Sequence, residues 1–363
     1  MSIIKKHASV FLINSAALII ILAGVHAASY IVVRILLSLL IAFICSPIFF
    51  FLTKRGLPQW LSLTVVLLTI FVAGLLLAAL IGSSINDFTA AWPIYQENFS
   101  NMITNITEFL HSHGFDVSAS AVMSVFDPNM VVKLVGGMLS TFTGMMSDSI
   151  VIIFYVIFML LEAYSVPLKS IIIWGEQGAV LREINKFTSG MQRYIVLKTL
   201  ISLATGVLIG VALLLLKVDF ALMWGMIAFL LNYIPTIGSI IASIPPILLS
   251  MFQMGWATCL AVTAVYLAVN NVIGNFLEPR IMGRGLDLSP LVVYASVIFW
   301  GWLLGPVGML LSVPLTMSAK IYLERRDSTK WLATILAEAP PLKKQKEGKN
   351  GSTEFIEPRQ SLK

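Results

Sequence analysis

From position 220 to 277 the chain runs 58 residues without an Asp, Glu, Lys or Arg, and from 288 to 319 it runs a further 32. A bilayer core about 30 Å thick takes about 20 apolar helical residues per crossing, so the first run is too long for one span and too short for three. Each run is broken midway. The first carries Asn232-Tyr233-Ile234-Pro235-Thr236-Ile237-Gly238 and then Pro245-Pro246; the second carries Gly305-Pro306-Val307-Gly308 and then Pro314. Unwound backbone at membrane depth leaves N–H and C=O groups unpaired, which is tolerated only where it is buried in protein or lines a wet cavity. The pattern therefore predicts two broken helical hairpins flanking a region able to handle a solute.

The remaining apolar runs predict spans at about 10–28, 31–52, 60–83, 149–164, 195–216 and 256–277. The expected fold is an all-α polytopic membrane protein with five to six full transmembrane helices plus two broken or re-entrant hairpins, about eight hydrophobic segments in all. Ser202, Gly206 and Gly210 recur every four residues in the fifth span, a face made for close helix contact. The two hairpins also echo each other. Pro235, Gly238, Ser243 and Pro245 in one correspond to Pro306, Gly308, Ser312 and Pro314 in the other.

Between the third and fourth spans Ile85, Phe88, Trp92, Tyr95, Phe99, Met102, Ile106 and Phe109 recur at steps of three and four. That is an amphipathic helical stripe, open to packing on its own chain, lying in the membrane interface or contacting another subunit, the first being the default, with Pro93 interrupting and restarting it. Asp127-Pro128 reads as the N-cap and first position of a second helix leading into the fourth span. The stretch 176–194 reads as an interfacial helix. Four regions follow: transmembrane helices over 1–83, an external amphipathic segment over 84–148, a core with paired hairpins over 149–324, and a charged tail over 325–363 with little to bury.

Composition narrows the class. At 58% hydrophobic and 12% charged residues, a soluble domain is excluded, since those carry about 25% charged residues. The net charge of +6 comes from short loops and the tail rather than from a basic patch interleaved with aromatics, so nucleic acid is not the expected partner. Cys45 and Cys259 lie in apolar segments and read as buried small hydrophobes. Lys5 and Lys6 ahead of a long apolar run predict a retained anchor with a cytoplasmic N-terminus rather than a cleaved signal.

Charge also orients the spans. Placing Lys54 and Arg55 in the cytoplasm leaves 84–148 outside, with six acids against the single base Lys133. A single span over 220–250 would leave Arg280 and Arg284 outside, whereas a hairpin that enters from outside and turns near Pro235 to Gly238 keeps both cytoplasmic, and the second hairpin then returns to Lys320, Arg325 and Arg326 inside.

No nucleotide-binding or metallohydrolase motif is present, so neither an enzyme nor an ATP-driven pump is expected, and no cofactor is implied. His111 and His113 lack a third ligand for a metal. What remains is polar and sits in or beside the uncharged run: Asn232, Tyr233, Thr236 and Ser239 at the first turn, then Asn271, Asn275, Glu278 and Arg280. Steps of four and three put Asn271, Asn275 and Glu278 on one helical face, where amides suit substrate contacts and Glu278 suits a proton or ion site. Pro235, Gly238, Pro306 and Gly308 are the expected turn residues.

The run from Asn232 to Gly238, the run Asn275-Phe276-Leu277-Glu278-Pro279-Arg280-Ile281-Met282-Gly283-Arg284-Gly285, and Phe299-Trp300-Gly301-Trp302-Leu303-Leu304-Gly305-Pro306-Val307-Gly308 resemble the autoinducer-2 exporter (AI-2E) family. The resemblance covers the chain from the first span to about position 324. It implies a bacterial inner-membrane secondary transporter, homo-oligomeric, exporting autoinducer-2 or a similar small polar solute. Some members are regarded as sodium or lithium/proton antiporters. A membrane scaffold without transport, in which the polar residues merely pack, is the reading from another class.

Overall fold

The computed structural model describes residues 2–115, 148–174, 179–282, 288–325 and 327–338, with single positions 133, 136, 137, 140 and 144. The Asp127-Pro128 helix start, Arg284, Arg326 and the tail beyond 338 lie outside the described residues. All regular elements among them are helical: α1 (Ser2–Ala27), α2 (Ser29–Lys54), α3 (Gln59–Ser112), α4 (Ser149–Trp174), α5 (Ala179–Leu215), α6 (Ala221–Leu231), α7 (Ile237–Met254), α8 (Trp256–Val269), a π-helical segment (Asn270–Leu277), α9 (Glu278–Met282), α10 (Pro290–Leu310), α11 (Ser312–Glu324) and α12 (Lys330–Leu336). Six of the described helices are long and apolar enough to cross a membrane, as an all-α polytopic protein requires.

Three expected connections change form. First, a single residue rather than a loop joins α1 to α2. Ala28 (φ −90°, ψ 7°) leaves helical geometry: its N–H closes α1 on the Gly24 carbonyl, and its own carbonyl opens α2 by accepting from the Ile31 and Val32 N–H groups. The break falls where the spans expected at 10–28 and 31–52 meet.

Second, α3 is one helix of 54 residues and passes Pro93 unbroken. Proline removes a backbone bond, but burial on either side holds the helix. Phe88, Trp92, Tyr95 and Phe99 lie in the main core with α5, α6, α7 and α8. Phe99 meets Phe252 edge-on at 4.9 Å and Phe88 meets Phe220 at 5.6 Å. The stripe thus packs on its own chain. It then drifts to Ile103 and Thr107 and leaves Phe109 exposed, because a 3.6-residue helix slips relative to a heptad.

Third, the expected interfacial helix and fifth span are a single helix, α5. Its Ser202–Gly206–Gly210 face does what its spacing predicts. A Cβ on Gly206 would sit 2.6 Å from the Gly225 carbonyl oxygen, and one on Gly225 would sit 2.7 Å from the Gly206 carbonyl oxygen, so α5 and α6 cross backbone to backbone.

Both broken runs fold as hairpins. Helix α6 turns over residues 232–236 into α7. The second turn lies within α10, where Gly305 (φ 67°, ψ −153°) leaves the helical region for backbone that is essentially glycine-only. The Trp300 indole N–H then donates to Thr316 Oγ1 of α11 at 2.9 Å. In each turn a glycine packs on the arm it follows: a methyl group at Gly238 would overlap the Leu231 carbonyl, and one at Gly308 the Trp300 carbonyl. Two smaller cores complete the packing, one of Phe49, Val66 and Val156 joining α2, α3 and α4, the other of Leu40, Ile195, Val307 and Leu311 joining α2, α5 and the second hairpin.

Candidate functional site

The tip of the first hairpin is shaped by one strained residue. Thr236 has φ 58° and ψ −54°, and the Ile237 N–H donates to the Pro235 carbonyl at 2.6 Å. Together these make a γ-turn of the rare form with positive φ, costly for a side chain branched at Cβ. The turn presents Asn232 and Tyr233 to α5. The Asn232 amide donates to Ser202 Oγ at 3.0 Å, and the Tyr233 hydroxyl to Thr199 Oγ1 at 2.7 Å. The Thr199 hydroxyl donates to the Ile195 carbonyl at 2.7 Å, so Thr199 both accepts and donates.

Beside Thr199, Lys198 donates from its ammonium to Glu278 Oε1 at 2.6 Å. The two side chains are only 4% and 22% exposed, and Lys198 lies within a helix apolar enough to cross a membrane. A pair taken out of water costs desolvation on both ions and persists only when geometry and further bonds compensate. The pair, the Tyr233 phenol, the Thr199 hydroxyl and the Asn232 amide therefore gather on one stretch of α5. On the other side of the tip, the Tyr294 hydroxyl of α10 donates to Thr236 Oγ1 at 3.1 Å, so the tip of the first hairpin touches the base of the second.

The expected single face of Asn271, Asn275 and Glu278 does not form. Residues 270–277 are π-helical, with i→i+5 bonding and a wider turn, and a widened turn swings Glu278 away from the asparagines. Asn271 and Asn275 are exposed; Asn275 donates to Asn271 Oδ1 at 3.0 Å and Asn271 to the Leu267 carbonyl at 2.8 Å. Arg280 is also exposed and stacks over the Phe276 ring at 3.7 Å. Ser239 donates to the Thr236 carbonyl of its own turn. Pro306 and Gly308 belong to the second hairpin, which packs against α2 and α5.

Reading the sequence missed Lys198, Thr199 and Thr236's strain. The signal for Lys198 was available: one cation three residues inside the span expected at 195–216, with Glu278 as the nearest acid beyond a 58-residue uncharged run. Thr236 had no such signal, since nothing but its neighbours forces it to positive φ.

Residues 16–326 match the family described as AI-2E family transporter. A Haemophilus influenzae protein is 41% identical over 338 residues, 92% of this chain and 97% of its own length. The Escherichia coli AI-2 transport protein TqsA is 40% identical over 321 residues, 88% of this chain and 93% of its own. Escherichia coli YhhT is 36% identical over 330 residues, 91% and 95% of the two chains. The Haemophilus protein and YhhT are named for transport without a substrate.

Proposed function

The chain belongs to the AI-2E transporter family, and we propose that it is a secondary transporter exporting a small polar solute of the autoinducer-2 kind across the bacterial inner membrane. One observation carries the reading: the buried Lys198–Glu278 pair stands beside Asn232, Tyr233 and Thr199 at the tip of a broken hairpin. Hydroxyls and amides at that position suit a polyhydroxylated solute, and an ion pair suits coupling, because a cation that takes the place of Lys198 on Glu278 changes the charge of the site. Its named relative TqsA supports the choice of solute. Asn271, Asn275 and Arg280, exposed on this chain, fit a path that completes itself against a second copy of the chain in a homo-oligomer. In the same reading Lys54, Arg55, Arg280 and the tail face the cytoplasm, and 84–148 faces outward.

Proteoliposome flux tests it. Autoinducer-2 should accumulate on one side under an imposed proton gradient, and Asn232→Ala should weaken its half-saturating concentration. No solute movement in a folded, reconstituted protein overturns the reading in favour of a scaffold. Cation antiport is the second reading, favoured by the same carboxylate: in that case sodium or lithium, rather than autoinducer-2, moves against the proton gradient and displaces Lys198 from Glu278.

A further inference from the structure

Between the far half of α3 and the corner joining α7 to α8 lies an open groove of about 590 Å³. One wall is polar. Asn98, Asn101 and Asn105 recur at steps of three and four, so they share a face of α3. All three are exposed, and none of their amides bonds to another described group of the chain. The other wall includes Gln253, held at both ends: its Oε1 accepts from the Asp219 N–H at 3.0 Å and its Nε2 donates to the Lys217 carbonyl at 3.1 Å. Trp256, at the start of α8, and Phe109 supply exposed aromatic faces. Among the described residues, no Asp, Glu, Lys, Arg or His lines the groove.

Amides that both donate and accept, set against aromatic rings without a formal charge, match a ligand with several hydroxyls and an apolar carbon face. We propose that this groove is a binding site for a neutral polyhydroxylated small molecule of sugar size, separate from the Lys198–Glu278 site. Its hydroxyls bond Asn98, Asn101 and Asn105 while its carbon face lies on Trp256. The site stands on its own lining and does not depend on what the chain transports.

Saturation-transfer NMR on the purified full chain in detergent, with D-ribose as probe, tests it. The expected result is a saturable signal that weakens about tenfold in the Asn101→Ala/Asn105→Ala double variant, in line with two lost neutral hydrogen bonds. Gly74→Ala, on the same helix and facing open space, should leave that signal unchanged. Trp256→Leu should weaken binding while leaving every amide in place, which separates loss of the ring from loss of the fold. The absence of a saturable signal, equal binding in the double variant, equal loss in Gly74→Ala, or equal affinity for D-ribose 5-phosphate each overturns the proposal.

Discussion

Lys198 and Glu278, eighty residues apart in the chain, meet at 2.6 Å between α5 and the end of the π-helical segment. Each is the other's counter-ion, so neither can be changed alone without leaving a buried charge behind. Glu278→Gln or Lys198→Met singly should destabilise the protein by about 3–5 kcal/mol, whereas the double variant, which removes both charges, should recover most of that. Thermal unfolding in detergent reads the stability, and flux with and without an imposed gradient reads the coupling. A double variant that is stable yet indifferent to the gradient assigns the pair to coupling; one that keeps full gradient dependence reduces it to a structural tie.

Gly238 and Gly308 are held against carbonyls of the arms that precede them. A methyl group cannot fit at either position without moving backbone, so Gly238→Ala and Gly308→Ala should each cost about 1–3 kcal/mol and lower transport. Gly74→Ala, which meets open space, is the matched control. Unchanged unfolding temperatures at 238 and 308 would show that the turns have slack.

Thr236 holds a conformation that glycine adopts freely. In a Tyr294→Phe background, where the bond to Thr236 Oγ1 is already gone, Thr236→Gly should raise stability by about 1 kcal/mol by releasing the strain. Differential scanning fluorimetry on the two variants is sufficient, and no gain would mean that the γ-turn relaxes in solution.

Labelling tests the orientation. In a chain lacking Cys45 and Cys259, a cysteine at Asn101 should react with an impermeant thiol reagent added to intact spheroplasts, and one at Arg280 should react only after lysis. The reverse pattern inverts the proposed topology.

Arg34 of α2 forms an ion pair with Asp148, the residue preceding α4. The guanidinium holds the Asp148 carboxyl below its ordinary value of 3.8. Because the folded value is the lower one, the pair contributes stability above pH 3.8 and loses it as the pH falls further. Wild type and Asp148→Asn should therefore differ in unfolding temperature at neutral pH and converge in acid. A gap that persists undiminished below the ordinary carboxylate range would locate the effect elsewhere.

Helical class, broken hairpins and the close α5–α6 face were legible in the sequence because each follows from composition or local spacing: uncharged runs of fixed length, Gly and Pro at their centres, small residues every four. The site was legible only in part. Asn232, Tyr233 and Glu278 announced themselves as polar groups beside apolar runs, but the asparagine face assumed 3.6 residues per turn through residues that are π-helical. A change of helical period leaves no mark in residue type. Lys198 was visible as a lone cation but unpaired in one dimension, and its partner becomes known only when α5 and the π-helical segment are side by side. The form of the join at Ala28 was illegible for a similar reason, since Ala is compatible with bend, loop and helix alike.

At about 1.5 Å per residue the 54 residues of α3 form a rod of about 80 Å, well beyond the thickness of a bilayer. Val66 fixes one end against α2 and α4, and Phe88 to Ile103 clasp the helices of the first hairpin further along. Such a rod has built-in weak points at Gly82-Ser83 and at Pro93. Because Phe88 to Ile103 travel with the first hairpin, a slide of that hairpin against α2 and α4 would carry the far end of the rod with it, and the distance from Ser112 to α4 would report it.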